Sequence, residues 1–295
     1  MSRTTIHGRA RAAMLCTAFA TAIAGCYKSE GGSAVSDSVT PATATPATEA
    51  NVVTFTASDF AFQGPDSIPA GLTALRLVNK GPEVHHMQIV KLNDGKTVMD
   101  FVNAIKAGGA PPAWATEVGG PNAPAPGSES NATQKLEPGA YAVVCFVDTP
   151  DHVPHLFKGM MRALTVTPSS SATAPEPTAD VIVTLTDYDF TTSAPLTAGQ
   201  RVFKVVNNAE QPHEIELMQF APGKTHADFI NWMKDFKGVP PARPIGGIAG
   251  LAKGRDGYFT ADLAPGEYTF VCFLPDAKDG KPHLMHGMIK NVKVT

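Results

Sequence analysis

A chain of 295 residues with 43% hydrophobic content is long enough for one large domain or two ordinary ones. Its 24 basic and 27 acidic residues leave a formal charge of -3 with no basic stripe, which excludes a nucleic-acid footprint. Twenty-six glycines and 25 prolines imply many turns and few long helices.

The first segment reads as an export signal. Arg3, Arg9 and Arg11 precede a weakly apolar stretch, Ala12 to Ala24, that is too short to span a bilayer. It ends Ile23-Ala24-Gly25-Cys26, which resembles the lipobox of bacterial lipoproteins. That resemblance implies a signal over residues 1–26, acylation of Cys26 and an exported protein, periplasmic or at the cell surface, anchored to a membrane by lipid. Residues 27–51 are Ser, Thr, Ala, Pro and Gly with almost no large apolar side chains, so they read as a disordered tether.

Beyond the tether the sequence is written twice, at an offset near 128. Phe55-Thr56-Ala57-Ser58-Asp59-Phe60-Ala61-Phe62 corresponds to Val183-Thr184-Leu185-Thr186-Asp187-Tyr188-Asp189-Phe190, and Asn79 to Asn207. A Pro-rich stretch, residues 168–180, separates the copies, so the expected domains are residues 52–167 and 181–295. Two copies of this length are a domain duplication, not a solenoid array. Short alternating runs such as Ala74 to Val78 and Arg201 to Val206 read as strands. Each copy carries one helix. Thr97 with Asp100, and Thr225 with Asp228, form capping boxes ahead of an apolar stripe. The Gly-Lys-Thr before each helix lacks the leading glycine of a phosphate loop and reads as a helix start.

Two cysteines carry the chemistry. Gly139-Ala140-Tyr141 leads to Cys145, then Pro154-His155 and Gly159-Met160. Gly266-Glu267-Tyr268 leads to Cys272, then Pro282-His283 and Gly287-Met288. A further histidine lies upstream in each copy, His85 and His213. Strand parity puts Tyr141, Val143 and Cys145 on one face, and Tyr268, Phe270 and Cys272 on the equivalent face. Cys16 leaves with the signal and Cys26 is taken by lipid, so a disulfide is a poorer account of Cys145 and Cys272 than metal ligation. One thiolate, two imidazoles and a thioether suit copper better than zinc.

The segment Asn207 to His213 and the strand Gly266 to Cys272 resemble those that deliver the first histidine and the cysteine of cupredoxins, the small blue copper proteins. The closing His155 to Met160 and His283 to Met288 agree. The resemblance implies a mainly β fold of two Greek-key cupredoxin-like β-sandwich domains, each with a short inserted helix. It implies copper, one ion per domain, held by His85, Cys145, His155 and Met160 and by His213, Cys272, His283 and Met288. It departs from the family at His86 and Glu214, where an asparagine often braces the cysteine loop. His86, His152, His286, Met161 and Met285 have no equivalents in the other copy and read as loop or surface residues.

The expected function is electron transfer between redox partner proteins, without catalysis. The cysteines are flanked by Val144 and Phe146 and by Val271 and Phe273, and no His-x-His pair occurs, whereas tandem-cupredoxin oxidases and nitrite reductases use extra histidines there. No nucleophile with a placed base stands out either. Copper storage or delivery is an alternative, as is a metal-free binding module using the Gly/Pro-rich segments Ala110 to Gly127 and Gly238 to Gly254 as a partner surface.

Overall fold

The computed structural model describes residues 50–108, 111–170, 174–234 and 237–295. The leader, Cys26 and the tether up to residue 49 lie outside the described residues. The first copy supplies β1 (Asn51–Ser58), β2 (Ala61–Gln63), β3 (Ser67–Pro69), β4 (Gly71–Asn79), β5 (Gln88–Leu92), β6 (Ala115–Gly119), β7 (Glu129–Leu136), β8 (Gly139–Val144) and β9 (Met161–Thr167). The second supplies β10 (Val181–Thr186), β11 (Asp189–Thr192), β12 (Gly199–Asn207), β13 (His213–Phe220), β14 (Ala242–Leu251), β15 (Asp256–Leu263), β16 (Gly266–Val271) and β17 (Ile289–Val294). The fold is mainly β, as the alternating runs predict.

The strands form two sheets. One runs β11-β10-β12-β15-β7-β4-β1-β2, the other β17-β16-β13-β14-β6-β5-β8-β9-β3. In each copy the first strand lies parallel to the strand ending in the buried asparagine: β1 beside β4 and β10 beside β12. Both sheets pass from one copy into the other, through Thr133 opposite Tyr258 and Val118 opposite Leu251. This continuity was not foreseen. The Gly/Pro-rich segments expected as a surface for a foreign partner instead hold β6 and β14, and those strands meet each other. Ala249 N–H donates to Gly120 O at 2.9 Å, and Asn122 N–H donates to Gly247 O at 3.1 Å. Glycine is required where they cross. A Cβ on Gly120 (φ +123) would lie 2.0 Å from Met87 O, and one on Gly247 (φ +150) 2.0 Å from Ile215 O.

Period-2 alternation sorts the side chains. Along β1, Val53, Phe55 and Ala57 turn inward while Val52 and Thr54 face water. The strand before each cysteine is different, because all of Tyr141, Ala142, Val143 and Val144 are buried. Tyr141, Val143 and Cys145 enter the sandwich core with Phe55, Leu77 and Ile89. Ala142 and Val144 face the other way, under Phe101 and Val102 of helix α1 (Val98–Ala107). The second copy repeats this. Tyr268, Phe270 and Cys272 join Phe190, Phe203 and Phe259 in the core, while Val271 packs under Phe229 of α2 (His226–Trp232). Burying a side chain such as Phe101 or Phe229 contributes about 2 kcal/mol, which holds each helix against its sheet.

Both capping boxes form as read. Thr97 accepts from Asp100 N–H and Thr225 from Asp228 N–H, and each aspartate returns a bond to the threonine N–H. Among the described residues no helix is long and apolar enough to cross a membrane.

Candidate metal centres

Each upstream histidine is delivered by the end of a strand and a buried asparagine. Asn79 Nδ2 donates to Glu83 O at 2.8 Å, and its Oδ1 accepts from Gly81 N–H at 2.9 Å. Asn207 does the same with Gln211 O at 2.9 Å and Ala209 N–H at 3.0 Å. The turn so fixed carries His85 in one copy and His213 in the other, both fully buried.

The other three positions come from one loop, closed by the same backbone bonds in both copies. Cys145 N–H donates to Met160 O at 3.2 Å, Leu156 N–H to Cys145 O at 2.8 Å, and Met160 N–H to His155 O at 2.9 Å. Their equivalents are Cys272 to Met288 O at 3.2 Å, Leu284 to Cys272 O at 3.0 Å, and Met288 to His283 O at 3.0 Å. A 3-10 turn begins at each histidine and ends at a left-handed glycine, Gly159 (φ 106) or Gly287 (φ 99). The extra residue in the second loop is absorbed before that turn, so the histidine-to-methionine geometry is kept.

Three ligand-type atoms converge in each copy: His85, Cys145 and His155, and His213, Cys272 and His283. In the first, His85 Nδ1 is 3.0 Å from His155 Nδ1, and Cys145 Sγ is 3.5 Å from His155 Nδ1. In the second, Cys272 Sγ lies 3.8 Å from His213 Nδ1 and 3.3 Å from His283 Nδ1. A metal about 2.0 Å from nitrogen and about 2.3 Å from sulfur separates its ligands by distances of this size, so both sets fit a metal without rearrangement. Both cysteines are free and buried. Met160 and Met288 are fully buried in the same cores as Cys145 and Cys272.

The outward nitrogens face carboxylates. His155 Nε2 is 2.8 Å from Glu83 Oε2, and His213 Nε2 is 2.7 Å from Asp187 Oδ1. A proton held there fixes the tautomer that leaves Nδ1 free to ligate. Asp59 stands 3.5 Å from His85 Nε2 and Asp276 3.9 Å from His283 Nε2, which leaves those two buried nitrogens without a hydrogen bond. Burial lowers the pKa of His85 and His213 and brings His283 to about 4, with the neighbouring histidine adding to the effect at His85 and His283. Burial also pushes the Cys145 thiol up to about 12 and the Cys272 thiol well above its usual range. Burial that keeps His85, His213 and His283 neutral, beside thiols that ionise only for a metal, makes sites that are quiet when empty.

Several functional neighbours were missed. Phe60 and Tyr188 hold positive φ (59 and 87) at hairpin turns and set ring edges against His155 and His283, with centroids 5.2 and 5.6 Å apart. The repeated Asp59-Phe60 and Asp187-Tyr188 pairs were the available signal. His86 lies on the loop between β4 and β5, as read, but not at the surface. The loop is buried at this point, and His86 Nε2 accepts from Phe146 N–H at 3.2 Å. Glu214 Oε1 accepts from Phe273 N–H at 2.9 Å. The two departures from the expected asparagine therefore brace the residue that follows each cysteine. His152 is on an exposed loop, and Met285 and His286 are exposed on the 3-10 turn, at the surface as read. Asp276, Asp279 and His286 also gather, but Asp276 bonds Tyr188 and Gln211, and Lys281 sits 3.1 Å from Asp279.

No family model matches the chain and no curated protein matches it. Solved structures do. A dithionite-reduced auracyanin from Roseiflexus castenholzii is 22% identical, covering 40% of this chain and 98% of that one, with a TM-score of 0.28. A blue copper oxidase from Nitrosomonas europaea is 16% identical over 83% of this chain and 86% of that one, with a TM-score of 0.26. A copper-containing nitrite reductase from Thermus scotoductus is 10% identical over 83% of this chain and 61% of that one, with a TM-score of 0.23. At such TM-scores the overlays carry no weight for the two centres, which rest on their own geometry. The expectation that the chain is not an enzyme is corrected here, because the structures matching it over 83% of its length include an oxidase and a nitrite reductase.

Proposed function

We propose that the chain is a copper protein of two cupredoxin-like units, residues 52–167 and 181–295, each holding one mononuclear type 1 copper. The ligands are His85, Cys145, His155 and Met160 in the first and His213, Cys272, His283 and Met288 in the second. The reading is carried by one observation: in each copy the Nδ1 of an upstream histidine meets the Nδ1 and cysteine sulfur of a closed, buried loop, beside a buried methionine. Copper bound there supplies one-electron redox chemistry at a thiolate.

The chain's own residues keep that site rigid and dry. Glu83 and Asp187 hold the outer proton of their histidines, the backbone bonds fix the loop, and Glu214 N–H approaches Cys272 Sγ at 3.5 Å. A site that needs no rearrangement suits electron exchange, so the partners are redox proteins. The leader places the protein outside the cytoplasm, tethered through acylated Cys26 to a bacterial membrane. Voltammetry of the copper-loaded chain tests the redox role. Fast, reversible one-electron responses from both sites are expected. Tight copper binding with no reversible response would assign the protein to storage or delivery.

A further inference from the structure

The two centres are not wired alike to the other copy. Asn122 belongs to the first copy and is buried at 2% exposure. Its Nδ2 crosses the boundary to donate to Glu214 Oε2 at 3.1 Å and to Ile215 O at 3.2 Å. Its own position is fixed by Ser130 Oγ donating to Asn122 O at 2.6 Å, by Asn122 N–H donating to Gly247 O, and by Ala123 N–H donating to Asn122 Oδ1 at 2.9 Å. Glu214 in turn accepts from Phe273 N–H, and its own N–H points at Cys272 Sγ. Three groups therefore link the first copy to the sulfur of the second.

Among the described residues the reverse link is absent. The position equivalent to Asn122 is Ala249, whose N–H returns the same backbone bond to Gly120 O but whose methyl group has no donor to send across. Next to it, Gln88 of the first copy donates to Gly250 O at 3.0 Å. His86 bonds to Phe146 N–H within its own copy.

We propose that Asn122 is a positioning residue for the Cys272 copper site, acting across the copy boundary through Glu214, and that the Cys145 site has no such dependence. The amide gives Glu214 a fixed donor, so the carboxylate stays on Phe273 N–H and the Glu214 N–H stays aimed at the sulfur. Without it, the second site depends on a buried carboxylate short of one hydrogen bond. This inference rests on the copper reading above.

The full chain tests it. Cys145→Ser leaves only the Cys272 site loaded, and Cys272→Ser leaves only the Cys145 site. In each background Asn122→Ala and Asn122→Asp are compared with Asn131→Ala. Asn131 also bridges the copies, through Thr260 O at 2.9 Å, without touching Glu214. Both Asn122 variants should weaken Cu(II) retention at the Cys272 site about tenfold against a chelator and shift its charge-transfer band and reduction potential. The Cys145 site should be unchanged, and Asn131→Ala should leave both sites unchanged. An unaltered Cys272 site, equal effects at both sites, or the same effect from Asn131→Ala would overturn the inference while leaving the copper reading intact. If the unsubstituted chain takes up no copper at either site, the copper reading falls and this inference falls with it.

Discussion

Loading the metal-free protein with Cu(II) should release about one proton per site, and the structure says where it comes from. Burial holds the Cys145 thiol up to about 12 and raises the Cys272 thiol well above its usual range, so both are protonated thiols at about pH 8. Copper takes the thiolate. His85, His213 and His283 contribute no proton, because burial lowers all three below an ordinary imidazole. Ionising a thiol of pKa about 12 at that pH costs roughly 5 kcal/mol, against less than about 1 kcal/mol for an unperturbed cysteine. Apparent copper affinity should therefore climb about tenfold per pH unit from about pH 8 upward, towards the thiol pKa. Calorimetric titration in two buffers of different ionisation enthalpy counts the protons. Cys145→Ser should remove one of the two. Zero release would mean that the thiols are already ionised in the metal-free protein. Release unchanged in Cys145→Ser with Cys272→Ser would mean that the protons come from elsewhere. Either result refutes the reasoning.

Three further outcomes follow from particular contacts. Gly120→Ala forces a Cβ to 2.0 Å from Met87 O at φ +123, which should cost about 3 kcal/mol and disturb the strand entry after His85. Thermal unfolding and the copper spectrum should change together, and an unchanged melting point would contradict it. His86 has its pKa lowered to about 3, so the folded state favours the neutral ring. That stability is complete above about pH 6.5 and lost as pH falls towards 3, roughly 5 kcal/mol in all. His86→Gln keeps an acceptor for Phe146 N–H, and the metal-free variant should lose less stability than the unsubstituted chain between pH 6.5 and 3 in denaturation curves; an equal loss would refute this. Thr97→Ala removes the α1 cap and should cost about 1 kcal/mol in chemical unfolding, with the copper spectrum unaltered.

Local chemistry made much of this legible from the sequence. The capping boxes, the alternating strands and the order His, Cys, His and Met are patterns that neighbouring residues dictate. The repeat told which histidines and methionines to pair with the cysteines, because Met285 and His152 have no counterparts. Long-range contacts were not legible. Nothing local in Ala242 to Leu251 says that it will meet the first copy at Val118 and Pro121. The same applies to Glu83, whose role behind His155 arises from a fold that brings residues 72 positions apart together. At His86 and Glu214 the substitution itself was visible, while its purpose as a brace needed the position of the Phe146 and Phe273 amides.

The most direct test is a Cu(II) titration of the purified chain followed by visible absorption. Two equivalents should bind, each with a strong thiolate-to-copper band. About half the intensity should be lost in Cys145→Ser and in Cys272→Ser, and all of it in the double variant. A chain that takes up copper without this band, or keeps the band when both cysteines are gone, would contradict the account.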